Sequence, residues 1–447
     1  MTTLAADVAL DRLTHRRVLA IALPIVLSNV TVPLLGLVDT GVIGQLGRPE
    51  PIGAVGLGAV ILTSVYWIFG FLRMGTSGLV AQSHGAGDAV ETGAHLLRAL
   101  AIAGMAGLAL IALQYPLFAG AFALAPASDA VEELARDYMG IRIWGAPATI
   151  GLYAITGWLI AVERTRAVLG LQLLQNGLNV LLSVWLVLGL GFEIRGLATA
   201  TLIAEWSGLL LGLWLARSAL RRAIATLRAG AALFARDKLG RLARVNSDIM
   251  IRSVLLQGSF TTFLFMGAAQ GDVALAANQV LLQFLAITAY ALDGFAYAAE
   301  SLVGQAVGRR RPDRVRRAAI LTSQWGIAGA VCLGLVFWLA GGAIIDLLTT
   351  SAEVRAEARL YLVWMGFAPL LGVASWMLDG VFIGATLTRE MRVAMIQSVL
   401  VYVAVLLVLP PLIGNHGLWA ALMVLNTMRG LTMLVRYPRA EQAAQSA

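Results

Sequence analysis

Apolar runs of about 18 residues or more recur along the whole of this sequence, the length an α-helix needs to cross the hydrocarbon core of a bilayer. One begins at Val18 with VLAIALPIVLSNVTVPLL, and others follow as far as Arg436. The 447 residues are 59% hydrophobic and only 13% charged, about half the charge of an ordinary soluble chain. The runs are continuous and lack a period of two, which argues against an outer-membrane barrel. An all-α integral membrane protein is expected.

Twelve transmembrane spans fit the pattern, at roughly 18–43, 52–80, 95–117, 133–161, 167–190, 194–216, 246–268, 274–307, 316–340, 356–385, 392–412 and 416–436. Several exceed the ~20 residues of a crossing, so tilt or protrusion is expected. The basic residues follow loop parity. The N-terminus and the even-numbered connections carry Arg12, Arg16, Arg17; Arg164, Arg166; Arg309, Arg310, Arg311, Arg314, Arg316, Arg317; and Arg389, Arg392. Odd-numbered connections such as AQGDV and PPLIGNHG carry none. Basic loops stay in the cytoplasm, which places both termini on the cytoplasmic side of a bacterial inner membrane. The pI of about 10.1 is then a topology signal, and nucleic acid is not an expected partner. Arg12, Arg16 and Arg17 precede the first span, but that span is too long for a signal peptide and has no small-x-small cleavage pattern.

The chemistry of enzymes is not visible. Cys332 is the only cysteine, so no intramolecular disulfide can form. His15, His84, His95 and His416 are scattered, with no cysteines at metal-ligand spacing. There is no Gly-rich phosphate loop followed by Lys and no G-x-S-x-G elbow. No metal and no cofactor are expected.

Passages about 220 residues apart resemble each other in a fixed order. GLVAQSHGAGD from Gly78 lies over SLVGQAVGRRRPD from Ser301, pairing Gln82 with Gln305. WGAPATIGLYAITGWLIAVERTR from Trp144 lies over MGFAPLLGVASWMLDGVFIGATLTR from Met365, and RGLATATLIAEWSGLLL from Arg195 lies over HGLWAALMVLNTMRGLTML from His416. The expectation is an N-terminal six-helix lobe over residues 1–216, a basic cytoplasmic linker over 217–244 and a C-terminal six-helix lobe over 245–447. Six is even, so both lobes enter the membrane alike, related by a pseudo-two-fold axis along the membrane normal. Alternating-access transporters use this arrangement.

A few polar residues sit where the solvent is lipid. Asp39 is the only ionisable residue between Val18 and Ile43. A charged Asp at a helix centre costs roughly 2.5–3.5 kcal/mol on insertion scales, similar to the ~3 kcal/mol that brings a carboxyl's titration close to neutral pH. Neutral and ionised forms can then interchange, as a proton carrier requires; hydration near the outer helix end is the plainer alternative. Gln172, Asn176, Asn179 and Ser183 share one face of helix five, as a cation or water network around Asp39 or as interhelical hydrogen bonds. Glu205, in mid-helix six next to Thr201, is a second proton acceptor, or it pairs with a neighbouring polar helix. Helix eight spaces Gln283, Tyr290, Asp293, Tyr297 and Glu300 along one face, where two carboxylates and two tyrosines would suit an amphipathic cation. The alternative is that Asp293 or Glu300 neutralises an arginine such as Arg73 or Arg252. Asp379 reads as structural.

These segments resemble the multidrug and toxic compound extrusion (MATE) family, in its DinF-type branch. The resemblance runs from about Arg16 to Arg436 and rests on LPIVLSNVTVPLLGLVDTGVIGQLG, FGFLRMGTSGLVAQ, NGLNVLLSVWLV, GLATATLIAEW, IRSVLLQ, AYALDGFAYAAESLVGQAVG and DGVFIGAT. It implies a cation-coupled antiporter, with H+ favoured over Na+, that exports organic, often cationic and amphipathic compounds by alternating access. It also implies two six-helix lobes in a V, and a monomer is expected. The family's first-helix carboxylate falls on Asp39 and its helix-bending proline on Pro24. Its coupling cluster falls on Asn179 and Thr201, but Ser183 stands where a second carboxylate belongs. That substitution bears on any Na+ site and shifts the proton role toward Asp39. A lipid-linked saccharide flippase of the same broad superfamily is the alternative, and it would be expected to carry clustered cavity arginines.

Overall fold

The computed structural model describes residues 13–124, 127–228 and 235–446; Arg12 lies outside them. Among the described residues, twelve helices are long and apolar enough to cross a membrane. They are α1 (His15–Gly44), α2 (Pro49–Gly85), α3 (Ala89–Ala112), α4 (Asp129–Ala161), α5 (Thr165–Gly189), α6 (Glu193–Arg228), α7 (Arg236–Ala268), α8 (Asp272–Gly308), α9 (Pro312–Leu348), α10 (Ala352–Gly384), α11 (Thr388–Ile413) and α12 (Asn415–Arg436). Two shorter helices, Gln114–Leu124 and Pro438–Ser446, follow α3 and α12. All twelve expected spans are present, most of them longer than hydropathy marks.

The added length has a local cause. Beyond residue 216 the sequence continues as ARSALRRAIATLR, rich in strong helix formers, so α6 runs on to Arg228. α7 starts at Arg236 rather than near 246. The basic stretch 217–244 is therefore taken up by two helix ends, and its residues 229–234 lie outside the described residues. Helix starts are capped where the sequence allows it: Asp88 Oδ1 accepts from the Val90 and Glu91 amides at 3.1 and 2.8 Å at the head of α3. Three helices change pitch inside the span. α2 tightens at Ile68–Gly70, α4 tightens at Ile143–Gly145, and α5 widens into a π-turn at Val184–Gly189, directly after Ser183. Such irregular turns concentrate at functional positions.

The chain divides into two compact units. The N-terminal unit spans Leu27–Leu242. Its core includes Ile43, Leu62, Tyr66, Tyr138, Met139 and Leu197. The first turns of α7 belong to this unit because Lys238 Nζ meets Glu91 Oε2 at 2.9 Å and Arg241 donates to Gln82 at 3.2 Å. Glu91 also receives Arg98, a fully buried guanidinium, at 2.7 Å.

The C-terminal unit takes Ala243–Ala447 together with Met1–Val26. The first half of α1 is held there by Arg317 Nε donating to the Leu13 carbonyl at 3.1 Å and by Trp325 donating to His15 at 3.1 Å. α1 is continuous through Pro24, which cannot donate the hydrogen bond of a helix interior, and the division between units falls just beyond it, after Val26. The core packs aromatics edge to face, Phe263 on Trp419 at 4.7 Å and Phe284 on Phe337 at 4.9 Å. Asn278 crosslinks α8 to α12, exchanging hydrogen bonds with Asn415 and accepting from Trp419 Nε1 at 2.8 Å. Gly380 and Gly384 let α10 approach the α8 backbone at Ala296 and Glu300, where a Cβ would collide.

Candidate functional site

Four helices of the N-terminal unit converge on one buried polar cluster. α1 contributes Asp39, α2 contributes Tyr66, and α6 contributes Glu205. α4 contributes Tyr138, Arg142 and Thr149, which with Gly145 recur at intervals of four, three and four along one helical face. Arg142 and Glu205 form an ion pair, Nη1 to Oε2 at 2.7 Å, with side chains only 11% and 8% exposed. Tyr66 donates to the Arg142 carbonyl at 3.2 Å, and Trp206 of α6 donates to the Trp144 carbonyl at 3.1 Å, fixing α2 and α6 against this part of α4. The tightened turn Ile143–Gly145 follows Arg142 directly.

Gly145 is there for space. A Cβ at this position would run into the Glu205 carboxylate. Gly145→Ala is expected to displace that carboxylate and to cost about 1–3 kcal/mol, the usual range for overpacking, read as a lowered Tm in detergent.

The cluster is poorly satisfied. Asp39 Oδ1 and Arg142 Nε are both enclosed, and neither has a hydrogen-bond partner among the described residues. Arg142 meets Glu205 through Nη1, which leaves its Nε unmatched. Each unmatched buried group costs roughly 1–3 kcal/mol, so their concentration at one place needs an explanation other than stability. Arg142 is also the cation whose field acts on Asp39. With both acids ionised the cluster carries a net charge of −1, and with Asp39 protonated it is neutral.

The helix-five residues have separate partners. Asn179 Nδ2 donates to Thr201 Oγ1 at 2.8 Å, and Ser183 Oγ lies 3.4 Å from Asn179 Oδ1, so α5 is tied to α6. Gln172 donates to Asn176, which in turn donates to Thr31 Oγ1 at 2.8 Å and so ties α5 to α1. No hydrogen bond among the described residues joins Asp39 to Asn179, Ser183 or Thr201. Of the expected set, Glu205 is the residue that shares a charged neighbour, Arg142, with Asp39.

Arg142 itself is not apparent from the sequence. It closes the charged segment DAVEELARDYMGIR and reads as the amphipathic head of helix four. The available signal is that Ile143 to Val162 carries no charge, and that Glu205, an acid within an apolar helix, requires a partner.

On α8 of the C-terminal unit, Tyr290, Asp293 and Tyr297 are half-buried on one face, with Tyr297 Oη 3.5 Å from Asp293 Oδ2. Glu300 is fully buried and Gln283 is exposed. Arg252 meets neither acid as its ion-pair partner. It bonds to Asp379 Oδ2, which also receives Arg429 Nη2 at 2.8 Å, while Arg429 Nη1 donates to Asn426 at 3.2 Å. Asp379 thus joins α10 to α7 and α12, as a structural residue should.

Comparison with known proteins completes the description. The family model MatE matches residues 24–185 and 249–409. DNA damage-inducible protein F of Escherichia coli (strain K12) is 42% identical over 423 residues, covering 94% of this chain and 91% of that protein. A probable multidrug resistance protein NorM of Deinococcus radiodurans is 27% identical over 464 residues, covering both chains fully. The solved structure described as MATE in the bent conformation superposes with a TM-score of 0.87 at 19% identity, covering 96% of each chain.

Proposed function

The chain belongs to the MatE family of efflux transporters, and we propose that it exports organic, often cationic and amphipathic compounds in exchange for protons. It is a multi-pass membrane transporter, not an enzyme. In our reading it works as a monomer in a bacterial inner membrane, with both termini in the cytoplasm. Asp39 carries the proton. A compound bound from the cytoplasm is released outside when Asp39 is neutralised and α1 rebends near Pro24; the proton then leaves on the cytoplasmic side.

The observation that supports proton coupling most strongly is the enclosed Asp39 carboxylate in a cluster that already holds the Arg142 guanidinium. A Na+ ion seeking that carboxylate would compete with a tethered cation, and Ser183 offers it no second carboxylate. A proton needs no such ligand set. The half-buried Tyr290, Asp293 and Tyr297 of α8 are our candidates for contact with a cationic compound, by charge and aromatic faces. Transport of a lipid pyrophosphate is less well supported, because Arg252 and Arg429 are already engaged by Asp379.

For one-to-one exchange of a monocation against H+ the charges cancel, and each unit of pH gradient supports about tenfold accumulation. Purified protein in liposomes, loaded with a cationic dye, is expected to move dye under a pH gradient alone. An equal Na+ gradient at uniform pH is expected to do nothing; the reverse pattern would overturn proton coupling.

A further inference from the structure

We infer that Arg142 is a shared counter-charge, held by Glu205 while Asp39 is protonated and drawn to Asp39 when that acid ionises. The inference rests on the proton-coupled reading and identifies the groups that set the pH at which coupling operates. Arg142 and Glu205 are here positioning residues that act through Asp39.

The geometry has the features such an exchange requires. The Arg142–Glu205 pair is close at 2.7 Å and engages Nη1, which leaves Nε of the same guanidinium for a second acid. Its Nε is enclosed and unmatched, and Asp39 presents an enclosed, unmatched Oδ1. An unused donor and an unused acceptor therefore lie in one enclosed cluster. Glu205 is what keeps the guanidinium in place when Asp39 is neutral, since an unpaired buried cation would be costly. The other ionisable groups in the cluster are tyrosines: Tyr66 on α2, and Tyr138 and Tyr153 on α4. None of these is an acid or base at physiological pH.

The consequence is a pair of opposite effects. Arg142→Gln removes the cation that favours ionised Asp39, so half-maximal pH-driven transport should move to higher pH by about one unit. Glu205→Gln removes the competing acid and frees Arg142 for Asp39, so the midpoint should move to lower pH by about one unit. Arg142→Lys keeps the charge and should lie near the wild type. A residue that only supports the fold would lower activity at every pH without moving the midpoint.

The test is the pH profile of dye exchange in liposomes for the wild type, these variants and Asp39→Asn. Arg142→Gln leaves Glu205 buried alone and is the variant most prone to misfold. Arg142→Gln/Glu205→Gln removes both charges, and its midpoint should fall between those of the single variants. Opposite displacements, or an intermediate double variant with Glu205→Gln displaced downward, support the inference. Unmoved midpoints, or displacements in the same direction, overturn it. If Asp39→Asn retains pH-driven exchange, the proton-coupled reading itself has failed. If Asp39→Asn is inactive while the Arg142 and Glu205 midpoints stay put, only the shared counter-charge is lost.

Discussion

Asp39→Asn is expected to abolish pH-driven efflux while leaving the protein folded. Asparagine has nearly the shape of protonated aspartate and can still bond, but it cannot release a proton. In that cluster the substitution fixes the net charge at zero, the value the native site has only with its proton bound. The variant is therefore held in the neutral half of the cycle. Folding should be preserved, because the enclosed Asp39 Oδ1 has no hydrogen-bond partner among the described residues to lose. The measurement is dye movement in liposomes under a pH gradient, with elution from size exclusion in detergent as the folding control. Loss of driven transport with normal elution is the predicted result.

The second large effect is on stability. Asp379→Ala removes the acid shared by two buried guanidiniums, those of Arg252 and Arg429, whose side chains are each 6% exposed. Breaking a buried pair by removing one partner costs about 3–5 kcal/mol, because the remaining charge stays desolvated. Here two charges remain, so the upper end is expected, with a large fall in Tm or failure to accumulate in the membrane. The triple replacement Arg252→Met/Asp379→Leu/Arg429→Met removes every charge together and should recover most of the loss, since well-packed apolar groups of similar volume replace buried ion networks at little or no cost. Thermal unfolding of both variants in detergent checks the pair of expectations. If the triple variant stays folded and transports poorly, the triad has a role beyond holding α7, α10 and α12 together.

Most of this architecture is legible in the sequence because a bilayer permits so few solutions. Helices must satisfy their own backbone groups, and the length of each apolar run then fixes a crossing. The helix ends were less visible: hydropathy marks where lipid ends, whereas α6 continues to Arg228 because alanine, leucine and arginine favour helix in water as well. Asp39 stands out as a lone acid in its span. Its partner does not, since Arg142 ends a run of charges and looks solvated until folding turns it inward toward Glu205. The face shared by Gln172, Asn176, Asn179 and Ser183 is evident from spacing alone, but spacing cannot say what that face touches. Thr31 and Thr201, one on each neighbouring helix, supply the answer.

Proton exchange by this route requires that Asp39 change charge within the physiological pH range. Infrared difference spectroscopy of the purified wild type, titrated against Asp39→Asn, reads this directly through the carbonyl stretch of a protonated carboxyl group. A band that grows on mild acidification and is missing from the variant is expected. Identical spectra for the two proteins across that range, with the wild-type Asp39 carboxylate ionised throughout, would contradict it.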